Sequence, residues 1–221
     1  MKLYLGDSVE ILPKIDDQSI DCVISDPPYI FSMGSSMRKF GYSGSWADLM
    51  NMSHWFATWY KEVNRVLKDN GSFWTFCNWK TFPLIQKALS DAKMGASSLI
   101  VWNKMIPGLG GKKGLRPFYE LIVLSPKNNF SIPDRKIGDI WDRKWQSHHG
   151  ETDHPAEKPV DLIEKIIKVC ALEKNSIILD PFMGSGTTGV AALNNGMRFI
   201  GIEMNEEWYF GAEKRLSKIE E

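Results

Sequence analysis

Ile177-Ile178-Leu179-Asp180-Pro181-Phe182-Met183-Gly184-Ser185-Gly186-Thr187-Thr188-Gly189 reads as a buried strand, a tight turn and the start of a helix. The aliphatic run suits a strand covered on both faces. Asp180 and Pro181 end it, and Gly184, Gly186 and Gly189 make a Gly-x-Gly-x-x-Gly pattern. Such glycines let a backbone approach a ligand closely, and a helix start offers its N–H groups to an anionic part of that ligand. The next apolar run, Phe199-Ile200-Gly201-Ile202, ends on Glu203, and a carboxylate at that place can accept both hydroxyls of a ribose. Strand, turn, helix, strand and acid together point to a nucleoside-cofactor site. No Lys follows Gly186 before the threonines, which disfavours a P-loop. NAD stays open on these residues alone, and the blander reading is a tight turn with a surface glutamate.

Further strand-like runs lie at Lys2–Leu5, Asp21–Ser25, Ser72–Cys77, Ser97–Trp102 and Glu120–Leu124, which with Ser176–Leu179 and Arg198–Ile202 makes about seven. Between them come helical stripes. Met52, Trp55, Phe56, Trp59, Val63, Val66 and Leu67 fall at steps of three and four, as do Leu162, Ile163, Ile166, Ile167 and Cys170. Leu84, Ile85, Ala88 and Leu89 suggest another helix, and Trp208–Ile219 the last. Strands alternating with helices predict an α/β fold: a mostly parallel sheet with helices on both faces, ligands sitting beyond the carboxyl ends of the strands.

The chain has 221 residues, 43% apolar and 24% charged, which suits a single domain over 1–221 and excludes a disordered tail protein or a fibre. Its 27 basic and 27 acidic residues cancel, so a uniformly basic nucleic-acid coat is excluded while a local basic face is not. Cys22, Cys77 and Cys170 form no Cys-x-x-Cys pair and read as reduced core residues of a cytosolic protein rather than a disulfide framework or a zinc cluster. No apolar run is long enough for a membrane span, and the start does not read as a signal peptide. His148, His149, Glu151, Asp153 and His154 fit no metal-ligand spacing, so no metal is expected. Trp141 and Trp145, four apart, are expected to pack against the sheet rather than stack on bases.

Asp21-Cys22-Val23-Ile24-Ser25 runs directly into Asp26-Pro27-Pro28-Tyr29. Two prolines stop the strand and stiffen the turn, and neither has an N–H to satisfy. Their carbonyls and the Asp26 carboxylate make a cluster of acceptors beside the flat ring of Tyr29. That suits a planar group with an exocyclic amine: one hydrogen for Asp26, the other for a proline carbonyl, the ring stacked on Tyr29. The alternative is a capped turn with a buried tyrosine.

With both motifs in hand, the chain resembles the amino-group DNA methyltransferases that use S-adenosylmethionine. It is similar to the circularly permuted β class, in which Asp-Pro-Pro-Tyr precedes the Phe-x-Gly-x-Gly cofactor turn. Leu5-Gly6-Asp7-Ser8, Gly71–Cys77 and His154-Pro155-Ala156-Glu157-Lys158-Pro159 resemble further blocks of that family in the same order. The resemblance implies one Rossmann-like methyltransferase domain in a bacterial or phage-encoded cytoplasmic protein. It implies that Phe182 packs near the cofactor adenine, that Asp180, Gly184, Ser185, Gly186 and Thr187 form the turn holding the methionine part, and that Glu203 takes the ribose. Asp7 and Ser8 would sit near the cofactor's adenine edge and Lys158 beside its carboxylate side. Asp26, Pro27, Pro28 and Tyr29 would be catalytic, with Asp26 also near the cofactor. In this family Asp at the first position of the turn usually goes with adenine and Ser often with cytosine, so Asp26 favours adenine N6.

Double-stranded DNA is the implied partner. The loops 30–45, with Arg38 and Lys39, and 104–117, with Lys104, Lys112, Lys113 and Arg116, contain no acid and are expected to face its phosphates. The family's base-reading segment would fall in 127–153, which is short, so a short recognition sequence or the help of a second subunit in a homodimer is expected. Competing readings are an N4-cytosine methyltransferase, an RNA methyltransferase, an NAD-dependent dehydrogenase sharing the glycine turn, and a catalytically inactive nucleic-acid-binding protein. A pairing with a restriction enzyme is not legible in one chain.

Overall fold

The computed structural model describes residues 1–28, 46–108, 113–145 and 157–220. Among them the strands are β1 (Lys2–Leu5), β2 (Ile20–Ser25), β3 (Leu67–Cys77), β4 (Ser98–Asn103), β5 (Tyr119–Pro126), β6 (Ile140–Asp142), β7 (Ile177–Asp180) and β8 (Arg198–Glu203). The helices are α1 (Ser8–Ile11), α2 (Trp46–Val66), α3 (Phe82–Asp91), α4 (Val160–Val169), α5 (Thr187–Asn194) and α6 (Glu206–Glu220).

All eight strands form one sheet in the order β1-β8-β7-β2-β3-β5-β4-β6. Every neighbouring pair is parallel except β3–β5 and β4–β5, so β5 alone runs against the rest. The seven expected strands are all present, and the mostly parallel α/β sheet is as expected. The eighth, β6, arises inside 127–153, where a base-reading segment was expected. Trp141 is its centre: it is buried, tilts against Trp74 with ring centroids 6.2 Å apart, and lies beneath the Lys165 ammonium.

Side chains alternate along each strand. Val23, Phe73, Val123, Leu179 and Ile202 face α2 and α3, while Cys22, Ile24, Trp74, Ile122, Ile178 and Phe199 face α4, α5 and α6. The helical stripes read from the sequence are the buried ones: Met52, Phe56, Trp59, Val63 and Val66 on α2, and Leu162, Ile163, Ile166 and Ile167 on α4. Leu67 instead opens β3, opposite Ile20. Trp59, Trp74, Trp102 and Trp141 are core residues, and all three cysteines are buried and unpaired. Among the described residues no helix is long and apolar enough to cross a membrane.

Candidate active site

Because β2 and β7 are parallel neighbours with Val23 opposite Leu179, the Asp26 turn and the Asp180 turn leave the sheet at the same edge. Parallel pairing of β7 with β8 and of β8 with β1 brings Glu203 and the Gly6-Asp7-Ser8 turn to that edge as well.

The glycine turn is built around its acid. Asp180 Oδ1 accepts the Phe182 N–H at 3.0 Å and Oδ2 accepts the Thr188 hydroxyl at 2.6 Å, so the carboxylate joins the two ends of the turn. Burial pushes its carboxyl up to about 7 against those two hydrogen bonds, with Asp26 and Glu203 adding to the rise. Both oxygens thus serve the turn itself. Gly186 precedes α5 at φ +79, where a side chain is strained, and α5 starts without a side-chain cap. A Cβ at Gly189 would stand 2.8 Å from Leu216 and Phe199. This glycine therefore serves the close approach of α5 to α6 and the sheet, a need that the ligand-based reading of the triplet leaves out.

Glu203 Oε2 accepts the Gly184 N–H at 3.0 Å and Oε1 the Asn205 N–H at 2.8 Å, which fixes the carboxylate beside the turn. Asp7 caps α1 by accepting the Val9 N–H at 2.8 Å, and the buried Ser8 hydroxyl donates to the Pro181 carbonyl. Phe182 packs at 5.1 Å from Trp59 and 5.7 Å from Trp55. Ser185 and Thr187 hydroxyls lie 3.2 Å apart.

Asp26 follows β2 with its Oδ2 accepting from Lys158 Nζ. Lys158 also lies 3.6 Å from Glu120 Oε2 and 5.3 Å from the centre of the Phe76 ring. Burial alone would lower the Lys158 ammonium, but Asp26 and Glu120 hold it above its ordinary range. Burial alone would raise Glu120, but Lys158 and Lys104 hold it below its ordinary range. Both are charged at neutral pH. Pro27 is buried and Pro28 exposed.

Lys113 and Arg116 are exposed, and Arg116 donates to the Gly108 and Pro107 carbonyls at 2.9 and 3.3 Å, bracing its loop. Lys104, expected on the DNA rim, is turned inward: its ammonium donates to Glu120 at 3.0 Å and its side chain is only 14% exposed. Tyr29, Arg38, Lys39, Lys112, the histidines at 148, 149 and 154, and part of 127–153 lie outside the described residues. Among the described residues no three His, Cys, Asp or Glu side chains cluster as metal ligands.

Sequence reasoning missed three residues of this edge. Glu120 is one; its trace in the sequence is an acid opening the apolar run Leu121–Leu124. The others are Arg215 and Glu157. Arg215 Nη1 donates to the Ser185 carbonyl at 3.1 Å and lies 3.4 Å from Thr187 Oγ1, while Nη2 pairs with Glu157 at 2.8 Å.

The model of the N6/N4 methyltransferase family, described as DNA methylase, matches residues 20–214. The chain belongs to this family. The matched stretch contains β2 to β8 and both the Asp26 and the Asp180 turns. Among DNA methylase relatives, the type II methyltransferase M.HinfI of Haemophilus influenzae is 28% identical over 97% of this chain and 67% of that protein. The putative methylase YubD of Escherichia coli (strain K12) is 28% identical over 97% of this chain and 89% of its own. Among solved structures, the M1.HpyAVI–SAM complex superposes with a TM-score of 0.71 at 26% identity, covering 97% of this chain and 99% of that one. The cytosine-N4-specific PvuII DNA methyltransferase shares the fold, with a TM-score of 0.78 at 19% identity over 98% of this chain and 90% of its own.

Proposed function

We propose that this DNA methylase transfers a methyl group from S-adenosylmethionine to the exocyclic N6 amine of an adenine in a short sequence of double-stranded DNA. The observation that carries the reading is the Asp26 carboxylate, held by Lys158, leaving the sheet beside the Asp180–Gly186 turn. The residues at this edge fit the cofactor. Glu203, fixed against Gly184, offers a carboxylate for the ribose, and the start of α5, without a side-chain cap, offers N–H groups to an anionic end. Phe182, packed on Trp55 and Trp59, supplies an apolar wall, and Asp7, Ser8, Ser185 and Thr187 supply polar groups for the cofactor. When bound, S-adenosylmethionine supplies an electrophilic methyl group on a positively charged sulfur.

The chain's own work is on the amine. Its lone pair is shared with the purine ring, so it is a poor nucleophile. Asp26 and the Pro27 carbonyl, accepting its two hydrogens, favour a tetrahedral nitrogen, and Asp26 stabilises the positive charge growing there. The amine is out of reach inside a duplex, so the base must leave the stack, at a cost that stacking on Tyr29 would partly offset.

Transfer of tritiated methyl to defined duplexes, followed by nucleoside mass spectrometry, is the test. N6-methyladenine is the expected product. Asp26→Ala should abolish transfer in a folded protein that still binds S-adenosylhomocysteine, and unchanged turnover would remove Asp26 from the chemistry. N4-methylcytosine as the product would replace adenine with the smaller ring in the same pocket, the reading that the shared fold of the PvuII enzyme keeps in view.

A further inference from the structure

Glu120 is a half-buried acid with no place in the chemistry above. It lies on β5, the one strand running against the sheet. Its two oxygens are divided between two ammonium groups: Lys104 at 3.0 Å from Oε1, and Lys158 at 3.6 Å from Oε2. Lys158 in turn donates to Asp26 Oδ2. Four side chains from four separate segments thus alternate in sign, Lys104, Glu120, Lys158, Asp26, and their exposures are 14%, 19%, 10% and 25%.

Such a row is poor value for stability alone, because desolvating charges costs about as much as pairing them returns, and apolar replacements serve a fold as well. It has a use beside an acid that must meet a substrate amine. An ammonium held by one carboxylate only would settle over that carboxylate and draw charge from both its oxygens. A second carboxylate on the far side keeps the ammonium against one edge of the first. A second ammonium, Lys104, keeps Glu120 from adding a net negative charge near Asp26.

We infer that Glu120 is a positioning residue for methyl transfer: it holds Lys158 at one edge of the Asp26 carboxylate, and Lys104 belongs to this row of charges rather than to the DNA rim. The inference rests on Asp26 being the acceptor of the target amine. The charge of Asp26 is felt by Lys158 in this row, by Cys77 on β3 and by Asp180 on β7, whereas Glu120 acts on Lys158.

The experiment compares the wild-type chain with Glu120→Gln and Lys104→Gln. Single-turnover methyl transfer at saturating cofactor and DNA should fall roughly 10- to 100-fold in each, as for a reacting group displaced by a fraction of an ångström to an ångström, while the affinity for S-adenosylhomocysteine stays within about twofold. Without DNA or cofactor, the nitrogen-15 resonance of the Lys158 ammonium should move in Glu120→Gln, which takes away its second carboxylate. The salt dependence of DNA affinity should not change in Lys104→Gln.

Transfer rates within twofold of wild type in both variants, an unmoved Lys158 resonance in Glu120→Gln, or a salt slope reduced by about one in Lys104→Gln would each overturn the inference. If Glu120→Gln fails to fold, Lys104→Gln at the outer end of the row decides by the same readouts. If the wild type itself transfers no methyl group to DNA, the assignment of Asp26 to that reaction fails, and the Lys158 resonance still decides whether Glu120 holds that ammonium.

Discussion

Asp180 is buried at the end of β7, and burial pushes its carboxyl up to about 7. A carboxyl raised in the folded state keeps its proton there while the unfolded chain has already lost it. The contribution of Asp180 to stability is therefore greatest below the unfolded value of about 4, falls as pH rises toward 7, and levels above it. Asp180→Asn keeps the shape and an oxygen for the Phe182 N–H but removes the charge. Urea unfolding at pH 4 and pH 7 should show the wild type losing up to ~4 kcal/mol more than the variant across that interval, from a rise to about 7; parallel curves would mean the carboxyl is not raised. The same residue marks how far the sequence could be read. Asp180 and Glu203 could be placed at strand ends beside the glycine turn, because the apolar runs and the glycines fix where they stand. That Asp180 spends both oxygens on Phe182 and Thr188 depends on how tightly the turn closes, which no spacing encodes. Lys104 was misplaced for a similar reason: an acid-free loop reads as a phosphate rim, but Glu120 approaches it across β5 from sixteen residues away.

The helices α2, α3, α4 and α6 were legible from their buried stripes and seven of the strands from their apolar runs, whereas the four-residue α1 is too short to show a stripe. β6 was not, because three residues carry no period, and its partner β4 is far off in sequence. The start of β3 was hidden as well, since Lys68-Asp69-Asn70 reads as a loop between Leu67 and Gly71. The C-terminal helix α6 was read over Trp208–Ile219 without notice of its cation. Arg215, 10% exposed, ties α6 to Ser185 of the glycine turn and to Glu157 of the segment that carries Lys158. Arg215→Met takes a cation from the Glu157 carboxylate and a brace from the turn, so it should lower stability by about 1 to 3 kcal/mol and weaken S-adenosylhomocysteine binding severalfold. Adding Glu157→Gln should restore part of the stability by removing the charge that Arg215 offset. Thermal melts of the two single variants and the double variant check this; losses that simply add would show that the pair is not coupled.

At the scale of the whole molecule, 27 positive and 27 negative charges cancel, yet they are not evenly spread. α6 carries Glu206, Glu207 and Glu213 at its outer surface, while the stretch around Lys113 and Arg116 is exposed and free of acid. Sheet order explains how this division bears on the site. β8, which leads into α6, lies toward the β1 edge, whereas the loop containing Lys113 joins β4 to β5 on the other side of β2. Strand order is the part of the fold that apolar runs do not convey. It puts the Asp26 turn between an acidic flank and a basic one. A polyanion approaching that turn is drawn to the basic flank and repelled by the other, so net neutrality is compatible with DNA binding. If Lys112 and Lys113 each neutralise a phosphate, their joint replacement by Ala should lessen the slope of log affinity against log salt by about 1.8. The wild type and variant curves should then converge at high salt, where released counterions no longer favour the complex, while methyl transfer at saturating DNA is retained. Fluorescence anisotropy with a labelled duplex over a salt series measures this, and parallel curves would move the phosphate contacts elsewhere on the basic flank.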